Sequence, residues 1–329
     1  MEDTRGSARR CSVPTMDDLN ALPLTRLWSA LVDQRRLRTL FELARDEDLG
    51  PEGDVTSATL IPEAATATAE VRSRGAGVVA GLLAVPELID VFGGGVAWHP
   101  TLTDGNPCAA GEVIGVVSGR LRSILAIERP MLNLLGRLCG VATLTRTYVD
   151  AVAGTRAKVC ETRKTTPGWR GLEKFAVRCG GGWLHRVGLF DAVLVKDNHL
   201  AWVGSIAALT ARLERARQAS DLRFVAVEAD TLDQVREILS MPRGLVDIIL
   251  LDNMNHAELG AAVGLRDATA PGVQIEASGG VSLETVRSIA DTGVDRISVG
   301  ALTHSAAALD VGLDMLLDQA TDAAGSALP

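Results

Sequence analysis

The amino-acid sequence predicts an α/β protein of two parts, the second of which is a complete or partial β/α barrel. Short β-prone runs alternate with glycine-rich turns over residues 66–120, which is typical of an antiparallel sheet in a small first unit. Six short, continuously apolar runs follow residue 156, as expected of parallel strands that are covered on both faces. Stretches with helix start signals separate several of these runs, and this alternation favours a barrel.

Composition narrows the class of protein. The 329 residues allow one large domain or two closely associated ones, and the net charge of −8 argues against a nucleic-acid or anionic-membrane surface. The five cysteines include no CxxC pair, so neither a zinc site nor a disulfide framework is indicated. No apolar run is long enough to span a membrane, and residues 1–20 lack the hydrophobic region of a signal peptide. We therefore expect a cytoplasmic protein that binds neither nucleic acid nor membranes.

The first part of the chain is expected to begin with a disordered leader. Residues 1–22 mix charge, serine and proline without a hydrophobic period. Apolar residues then recur at helical spacing over 24–43 and again over 124–153, with the β-prone runs between them. The predicted domains are a leader over 1–22, an α/β domain over 23–145 and a barrel over 146–303, with residues 304–329 packing back on the α/β domain.

The barrel strands are read from the apolar runs after residue 156. Capping-box spacing marks two of the intervening helices, because Thr231 precedes Gln234 by three residues and Asn255 precedes Glu258 by three. The predicted strands cover residues 157–160, 192–195, 224–227, 247–251, 273–277 and 296–299.

Polar residues follow nearly every one of these strands. Reacting groups in a β/α barrel come from the carboxyl ends of the strands, so a site is expected at that edge. For any single residue the competing interpretation is a solvated loop charge or an ion pair. In strand order, the residues are Glu161, Thr162, Arg163 and Lys164; Lys196, Asp197 and Asn198; Glu228; Asp252 and Asn253; Ser278, Gly279 and Gly280; and Gly300 and Ala301.

The last two strand ends have the composition of phosphate-binding loops. Ser278, Gly279 and Gly280 precede a helix predicted over 283–290, so backbone N–H groups and the helix dipole can hold a phosphate. Residues 298–301, which include Val299, do the same after the final strand. Ordinary glycine turns are the alternative for either loop taken separately.

Residues 162–196 carry a local excess of positive charge, with seven lysines and arginines against two carboxylates. Part of this excess is expected on the solvated face of a short helix over 172–178. The remaining basic residues are better candidates for an anion pocket, because guanidinium groups bind carboxylate or phosphate through two hydrogen bonds and ammonium groups add point charge. They are Arg163, Lys164, His185, Arg186 and Lys196.

Two carboxylates complete the predicted site. Glu228 and Asp252 end neighbouring strands and are suited to bind Mg²⁺ together with substrate phosphates and water, or to face a developing positive charge. The alternative is that either carboxylate pairs with Lys164 or Lys196.

Taken in order, these segments resemble the quinolinate phosphoribosyltransferase family over roughly residues 36–315. Two motifs are highly specific: Thr-Arg-Lys-Thr-Thr-Pro-Gly at 162–168 and Lys-Asp-Asn-His at 196–199. The sequence departs from the family pattern at Leu184, where asparagine is usual. The other matching segments are 47–50, 53–56, 128–129, 133–135, 172–174, 180–182, 185–186, 227–228, 251–254 and 277–280.

The resemblance implies a fold, an assembly and an activity. The fold would be an N-terminal α/β sandwich followed by a C-terminal open β/α barrel, in a homodimer whose active sites are shared between subunits. The activity would be that of a pentosyltransferase in NAD biosynthesis, which uses Mg²⁺ and joins quinolinate to phosphoribosyl pyrophosphate with release of CO₂ and pyrophosphate. Nicotinate mononucleotide would be the product.

The resemblance also implies roles for individual residues. Arg129 would reach the acceptor across the dimer interface, and Lys164 would lie near both substrates as a catalytic residue with Glu228 and Asp252. These two carboxylates would hold the ribose and Mg²⁺. Thr162, Arg163, His185, Arg186 and Lys196 would bind quinolinate, and Ser278, Gly279, Gly280, Val299, Gly300 and Ala301 would bind phosphate.

Two other functions remain open from the sequence. One is a paralogue of the same fold that acts on another ring carboxylate. The other is a non-catalytic phosphosugar-binding protein, although the retention of Lys164, Glu228 and Asp252 argues against a site that has lost turnover.

Overall fold

The computed structural model describes residues 15–316, and the contacts within the chain divide into two units. The parallel unit contains described residues 15–23, 148–164 and 183–301. The antiparallel unit contains residues 24–147, 165–182 and 302–316. None of the helices in this range combines the length and apolar character that a membrane span requires.

Helices and strands alternate along most of the chain. Over residues 15–316 the α-helices are α1 Met16–Ala21, α2 Leu24–Leu31, α3 Gln34–Leu49, α4 Val55–Leu60, α5 Val85–Val91, α6 Leu121–Ala151, α7 Arg170–Cys179, α8 Asp197–Val203, α9 Ile206–Ala219, α10 Leu232–Leu239, α11 His256–Thr269, α12 Val286–Ala290 and α13 Ala301–His304. The strands are β1 Thr66–Ser73, β2 Gly77–Val78, β3 Val96–Pro100, β4 Pro107–Cys108, β5 Val113–Arg120, β6 Lys158–Cys160, β7 Val193–Val195, β8 Val225–Ala229, β9 Ile248–Asp252, β10 Gln274–Ser278, β11 Arg296–Ser298 and β12 Val311–Leu316.

The antiparallel unit is built on a sheet in the order β12-β1-β5-β3. All of its pairings in the described chain are antiparallel, as the alternating runs predicted. Along β1 the side chains of Ala69, Val71 and Ser73 are buried at alternate positions, so one face of the strand packs into the core. The final described strand, β12, returns to pair with the first.

The helical run predicted over 24–43 is two helices rather than one. Asp33 interrupts it, because the carboxylate of Asp33 accepts the backbone N–H of Arg36 at 3.1 Å and caps α3. The long helix predicted over 124–153 is confirmed as α6.

The leader prediction is wrong for residues 15–22, and residues 1–14 lie outside the described part. Thr15 and Asp18 form a capping box at the start of α1. Met16, Leu19 and Asn20 are then buried, so this short helix belongs to the packed parallel unit.

The predicted domain ranges differ from the observed units in a second place. Residues 165–182 fall in the antiparallel unit because α7 packs on α2. There the rings of Trp28 and Phe175 meet edge to face with centroids 5.0 Å apart.

The parallel unit contains the predicted barrel strands in a six-stranded sheet of the described chain, in the order β6-β11-β10-β9-β8-β7. Its recorded strand pairings are parallel. The consecutive strands β6 and β7 lie at opposite edges, so the sheet is an open barrel. The capping boxes at Thr231 and Asn255 are confirmed at the starts of α10 and α11.

One predicted helix is shorter than expected. The helix placed at 283–290 is the five-residue α12, which starts at Val286, six positions after Gly280. The dipole of α12 therefore does not act directly on the Ser278–Gly280 loop, contrary to the prediction.

Candidate active site

The carboxyl edge of the parallel sheet brings together most of the predicted site residues. Glu161 to Lys164 follow β6, Lys196 follows β7, Glu228 lies in β8 and Asp252 ends β9. Ser278 ends β10, and Val299 to Ala301 follow β11. Arg129 lies on α6 of the antiparallel unit, and its side chain is 64% exposed.

Two arginines form the cationic centre of this edge. Burial lowers the pKa of Arg186, and the like charge of Arg163 lowers it further, against the opposing effect of Asp191. The Nε atom of Arg163 is buried without a hydrogen-bond partner among the described residues. Two neighbouring guanidinium groups of this kind favour an anion, which would offset their repulsion and accept their N–H groups.

Side-chain acceptors hold the segment 184–188, which carries Arg186 between β6 and β7. The N–H of Leu184 donates to Oδ1 of Asn20 at 2.8 Å, and the N–H of His185 donates to Oε1 of Glu161 at 2.7 Å. Both acceptors are buried. The segment is therefore anchored at its start without belonging to a strand.

The remaining N–H groups of segment 184–188 are bound in the same way. Arg186 donates its N–H to Nδ1 of His185 at 2.8 Å. The carboxylate of Asp191 accepts from Val187 at 2.9 Å and from Gly188 at 3.0 Å. Five consecutive backbone donors are thus satisfied by side chains, which fixes the path of the segment.

A buried ionic network lies beneath this segment. Nε of Arg296 on β11 is 2.7 Å from Oε2 of Glu276 on β10, and Ser298 donates to Oε1 of Glu276 at 2.5 Å. Nε2 of His185 lies 3.3 Å from the same Oε1. Burial opposes the ionisation of Glu276, but His185 and Arg296 hold the pKa of its carboxyl well below its usual value. The carbonyl of Leu184 accepts from Nη2 of Arg296 at 3.3 Å.

Lys196 and Glu228 form an ion pair with Nζ and Oε2 2.5 Å apart. The Glu228 side chain is 5% exposed and that of Lys196 is 48% exposed, so the pair lies at the rim with the ammonium group outward. The other oxygen of Glu228 is 3.4 Å from the N–H of Asp197. For Glu228 the structure therefore contains the ion pair that the sequence left as an alternative to metal binding.

The carboxylates at this edge create a negative field. Partial desolvation raises the pKa of Asp230, and the charges of Glu228, Asp252 and Asp197 raise it further, while Lys196 lowers it. Sequence reasoning missed Asp230. The sequence feature that could have identified Asp230 is its position two residues after Glu228, just beyond a buried strand.

These carboxylates fit Mg²⁺ only in a limited sense. No group of three or more ligating side chains is placed to hold a metal within residues 15–316. Magnesium is usually bound through one or two carboxylates together with substrate phosphates. Glu228 and Asp252 match that kind of site and not an all-protein cage. Their negative charges also raise the pKa of nearby Asp230.

A strained turn joins Asp252 to the glycine loop. Asn253, at φ 54°, is the one non-glycine residue with positive φ in the described chain, and its N–H donates to the carbonyl of Ser278 at 2.9 Å. Its side chain donates to Asp252 at 2.8 Å. A Cβ at Gly279, where φ is 97°, would lie 2.1 Å from Oδ1 of Asn253, so this position requires glycine.

The remaining predicted residues occupy less constrained positions. Lys164 is exposed, and its N–H donates to Oγ1 of Thr162 at 3.0 Å. Val299 donates its N–H to the carbonyl of Cys160 at 2.9 Å, so that donor serves the β6–β11 ladder. Gly300 and Ala301 then lead into α13.

The buried network could not be recognised as part of the site from a strand-end search. Glu276 and Arg296 lie inside apolar runs, and Asn20 lies in the segment assigned to a leader. The available signal was the presence of opposite charges inside two consecutive predicted strands, since buried charges are normally paired.

Comparison with known proteins agrees with the two-part organisation. Residues 54–139 match the family described as quinolinate phosphoribosyl transferase, N-terminal domain. Residues 141–314 match the quinolinate phosphoribosyl transferase, C-terminal domain.

Individual relatives are similar over nearly their whole length. The chain is 42% identical over 286 residues to nicotinate-nucleotide pyrophosphorylase [carboxylating] of Mycobacterium leprae, covering 84% of this chain and 98% of that protein. It is 39% identical over 272 residues to the probable nicotinate-nucleotide pyrophosphorylase [carboxylating] of Bacillus subtilis, covering 82% and 90%. The solved nicotinate-nucleotide pyrophosphorylase of Francisella tularensis is similar with a TM-score of 0.78 and 33% identity, over 86% of this chain and 97% of that one.

Proposed function

The chain belongs to the quinolinate phosphoribosyltransferase family, and we propose from this premise that its barrel edge is the site of decarboxylating phosphoribosyl transfer. Quinolinate accepts the phosphoribosyl group of phosphoribosyl pyrophosphate in NAD biosynthesis. The products are nicotinate mononucleotide, CO₂ and pyrophosphate.

One observation carries the assignment of the acceptor. Arg163 and Arg186 are close enough for the charge of one to lower the pKa of the other, and Nε of Arg163 is buried without a partner among residues 15–316. Quinolinate carries two adjacent carboxylates on an aromatic ring. Two guanidinium groups side by side match this arrangement of charge better than they match a monocarboxylate.

The donor substrate is placed on the other half of the same edge. Glu228 and Asp252 face the ribose. The backbone N–H groups of 278–280 and 299–301 hold phosphate, except that of Val299, which already donates to the carbonyl of Cys160. Lys196 adds positive charge to the acceptor pocket, and the ammonium group of Lys164 attracts both anionic substrates. His185 and Thr162 border the acceptor, and Arg129 reaches it from a second subunit.

The charges then account for the reaction. As pyrophosphate leaves the ribose, the anomeric carbon becomes oxocarbenium-like, and the carboxylates of Glu228 and Asp252 stabilise that positive charge. The pyridine nitrogen of quinolinate, held in line by the arginines, forms the new bond. The ring nitrogen is then cationic, so the adjacent carboxylate departs as CO₂ and leaves its electron pair on the ring carbon, where the neighbouring positive nitrogen stabilises it. A proton from water then takes the place of the carboxylate on that carbon.

Magnesium has a place in this scheme as the counter-ion of the diphosphate. Glu228 and Asp252 are the residues that would hold it, together with substrate oxygens. When bound, Mg²⁺ would neutralise charge on the leaving group.

We further propose that the protein acts as a cytoplasmic homodimer with shared active sites. The exposed position of Arg129 on α6 supports this arrangement, because an exposed guanidinium group is accessible to a second subunit.

An acceptor comparison tests the proposed function. Purified protein is incubated with phosphoribosyl pyrophosphate, Mg²⁺ and either quinolinate or nicotinate, and CO₂ and the nucleotide product are measured. We expect turnover with quinolinate and none with nicotinate. Turnover of nicotinate without CO₂ would favour the paralogue, and binding without turnover of either acid would favour a non-catalytic phosphosugar-binding protein.

A further inference from the structure

Glu276 has the chemistry of an active-site carboxylate but no access to a substrate. Its side chain has no exposed surface, and the Arg296 side chain that pairs with it is 3% exposed. Any effect of Glu276 on the reaction must therefore pass through the groups that it contacts. Besides Arg296, these are Ser298 and His185.

The hydrogen bonds around His185 define one protonation state of its ring. Nδ1 accepts the N–H of Arg186 at 2.8 Å, so this nitrogen carries no proton. The proton is then on Nε2, which lies 3.3 Å from Oε1 of Glu276. The ring of Phe224 meets that of His185 edge to face at 5.2 Å and limits its rotation. His185 is thus held with Nδ1 toward a backbone amide and Nε2–H toward a carboxylate.

We propose that Glu276 is a positioning residue for the acceptor, acting on Arg186 through His185. Glu276 selects the tautomer whose unprotonated Nδ1 accepts the Arg186 N–H. That hydrogen bond sets the backbone from which the Arg186 guanidinium extends beside Arg163. The inference rests on the proposed function, because the anion that the two arginines bind is taken to be quinolinate.

Arg296 on the neighbouring strand β11 contributes to the same arrangement in two ways. It keeps Glu276 ionised, and its Nη2 also binds the carbonyl of Leu184 at 3.3 Å. Segment 184–186 is therefore held by the carbonyl of Leu184, by the imidazole of His185 and by its backbone N–H groups. A purely structural role for the same ion pair predicts lower stability when it is broken, with no selective effect on either substrate.

The matched experiment compares Glu276→Gln with Asp295→Asn. Asp295 also pairs with buried Arg266, and with Arg156, and it directly precedes Arg296 in the sequence, where it accepts the N–H of Ile275 at 2.8 Å. Each change removes one carboxylate charge from a carboxylate–arginine pair, but Glu276 alone touches His185. Quinolinate and phosphoribosyl pyrophosphate binding are measured separately by calorimetry, with the melting temperature of each variant.

A binding result specific to one substrate is expected. Glu276→Gln should weaken quinolinate binding about 10-fold, because the amide can present its N–H₂ to His185 and release the tautomer, while phosphoribosyl pyrophosphate binds as before. Asp295→Asn should leave both affinities unchanged even where its melting temperature falls. Unchanged quinolinate affinity in Glu276→Gln, or an equal loss in Asp295→Asn, would overturn the proposal.

A spectroscopic measurement covers the case in which Glu276→Gln does not fold. The ¹⁵N shifts of the His185 ring in the unmutated protein, assigned through their loss in His185→Asn, should be those of the Nε2–H tautomer. An Nδ1–H ring or an imidazolium ion would refute the inference. If the unmutated protein binds no quinolinate while its ring shows the expected tautomer, the proposed function fails and the positioning of the segment stands.

Discussion

The proximity of two arginines at the barrel edge is the residue-level feature on which the acceptor assignment depends. Bringing Arg186 out of water beside Arg163 costs free energy, as the lowered pKa of Arg186 shows. Under the proposed function, a dianion that enters between them would relieve the repulsion and pair with the buried Nε of Arg163. We therefore propose that this pair supplies much of the binding energy of quinolinate.

Arg163→Ala is predicted to weaken quinolinate binding roughly 10- to 100-fold, since hydrogen bonds to charged groups are worth about 1.5–3 kcal/mol. Affinity for phosphoribosyl pyrophosphate should be unchanged. The measurement is a calorimetric titration of each substrate, with Arg236→Ala on the exposed face of α10 as a control that should alter neither. Equal losses for both substrates would show that Arg163 is not specific to the acceptor.

The ionisation of Glu276 gives the fold a pH dependence. Despite its burial, His185 and Arg296 hold the pKa of Glu276 below its ordinary value of 4.5. A carboxyl with a lower pKa in the folded state contributes stability above its unfolded-state pKa, and this contribution is lost as the pH falls through the folded-state pKa. In urea titrations below about pH 5, the free energy of unfolding should fall less steeply for Glu276→Gln than for the unmutated protein. Parallel curves would contradict the assignment.

At this scale the sequence predicted the residues at and just beyond the carboxyl ends of the strands and missed those farther from these ends. Arg163, Lys196, Glu228 and Asp252 were identified because polar side chains after apolar runs mark the carboxyl edge of a parallel sheet. Glu276 was not, because whether a charge inside an apolar run faces a partner depends on the pairing of β10 with β11, which no local pattern contains.

At the level of elements, the turn after β9 and the loop after β10 act as one structure. Asn253 takes a positive φ and binds the carbonyl of Ser278, and its side-chain oxygen occupies the space where a Cβ of Gly279 would lie. The glycine therefore does more than permit a turn, because it lets the end of β9 at Asp252 approach the loop that follows β10.

Gly279→Ala and Gly280→Ala make a matched pair for this contact. Both glycines have positive φ, but a Cβ at Gly280 meets no atom within 4 Å. We predict that Gly280→Ala costs about 1–2 kcal/mol of unfolding free energy from its backbone conformation alone. Gly279→Ala should cost more, because it also displaces Asn253, and it should weaken phosphoribosyl pyrophosphate binding. The free energy of unfolding is measured by urea titration, and phosphoribosyl pyrophosphate affinity by calorimetric titration with Mg²⁺ present. Equal effects of the two substitutions would rule out the proposed coupling of Gly279 to Asn253.

Strands were easier to predict than short helices. The six barrel strands lie within two residues of their predicted bounds, because a run of buried apolar residues extends only as far as its strand. Helix α1 was missed because two buried apolar residues, Met16 and Leu19, make too short a pattern to distinguish from a polar leader. What orders α1 is tertiary, namely burial and the hydrogen bond from Leu184 to Asn20.

For the whole molecule, neither unit is continuous in sequence. Residues 165–182 join the antiparallel unit although they lie between two barrel strands, and β12 returns to β1 from the end of the described chain. The packing of residues 304–329 on the α/β domain was already part of the sequence prediction. Composition does not change around residues 165–182, so a boundary drawn along the sequence could not find that crossing. The contact of Trp28 with Phe175 decides this crossing, and only the folded chain reveals it.

Complementation tests whether active sites are shared between subunits. Arg129→Ala and Lys164→Ala should each be nearly inactive. Dimers reassembled from an equal mixture of the two variants should regain about a quarter of the unmutated activity. Half of these dimers contain one subunit of each variant, and each such dimer has one intact site of two. A mixture of Lys164→Ala with Glu228→Gln should regain none, because both residues belong to the parallel unit. Recovery in neither mixture would place Arg129 outside a shared site.

The most direct test of the central claim is the stoichiometry of a single turnover. Enzyme in excess is mixed with Mg²⁺, phosphoribosyl pyrophosphate and quinolinate labelled with ¹³C in the carboxylate next to the ring nitrogen, and the products are quantified by NMR and mass spectrometry. The account predicts one labelled CO₂, one pyrophosphate and one unlabelled nicotinate mononucleotide for each quinolinate consumed. Pyrophosphate release with the label retained on the nucleotide, or no release at all, would contradict it.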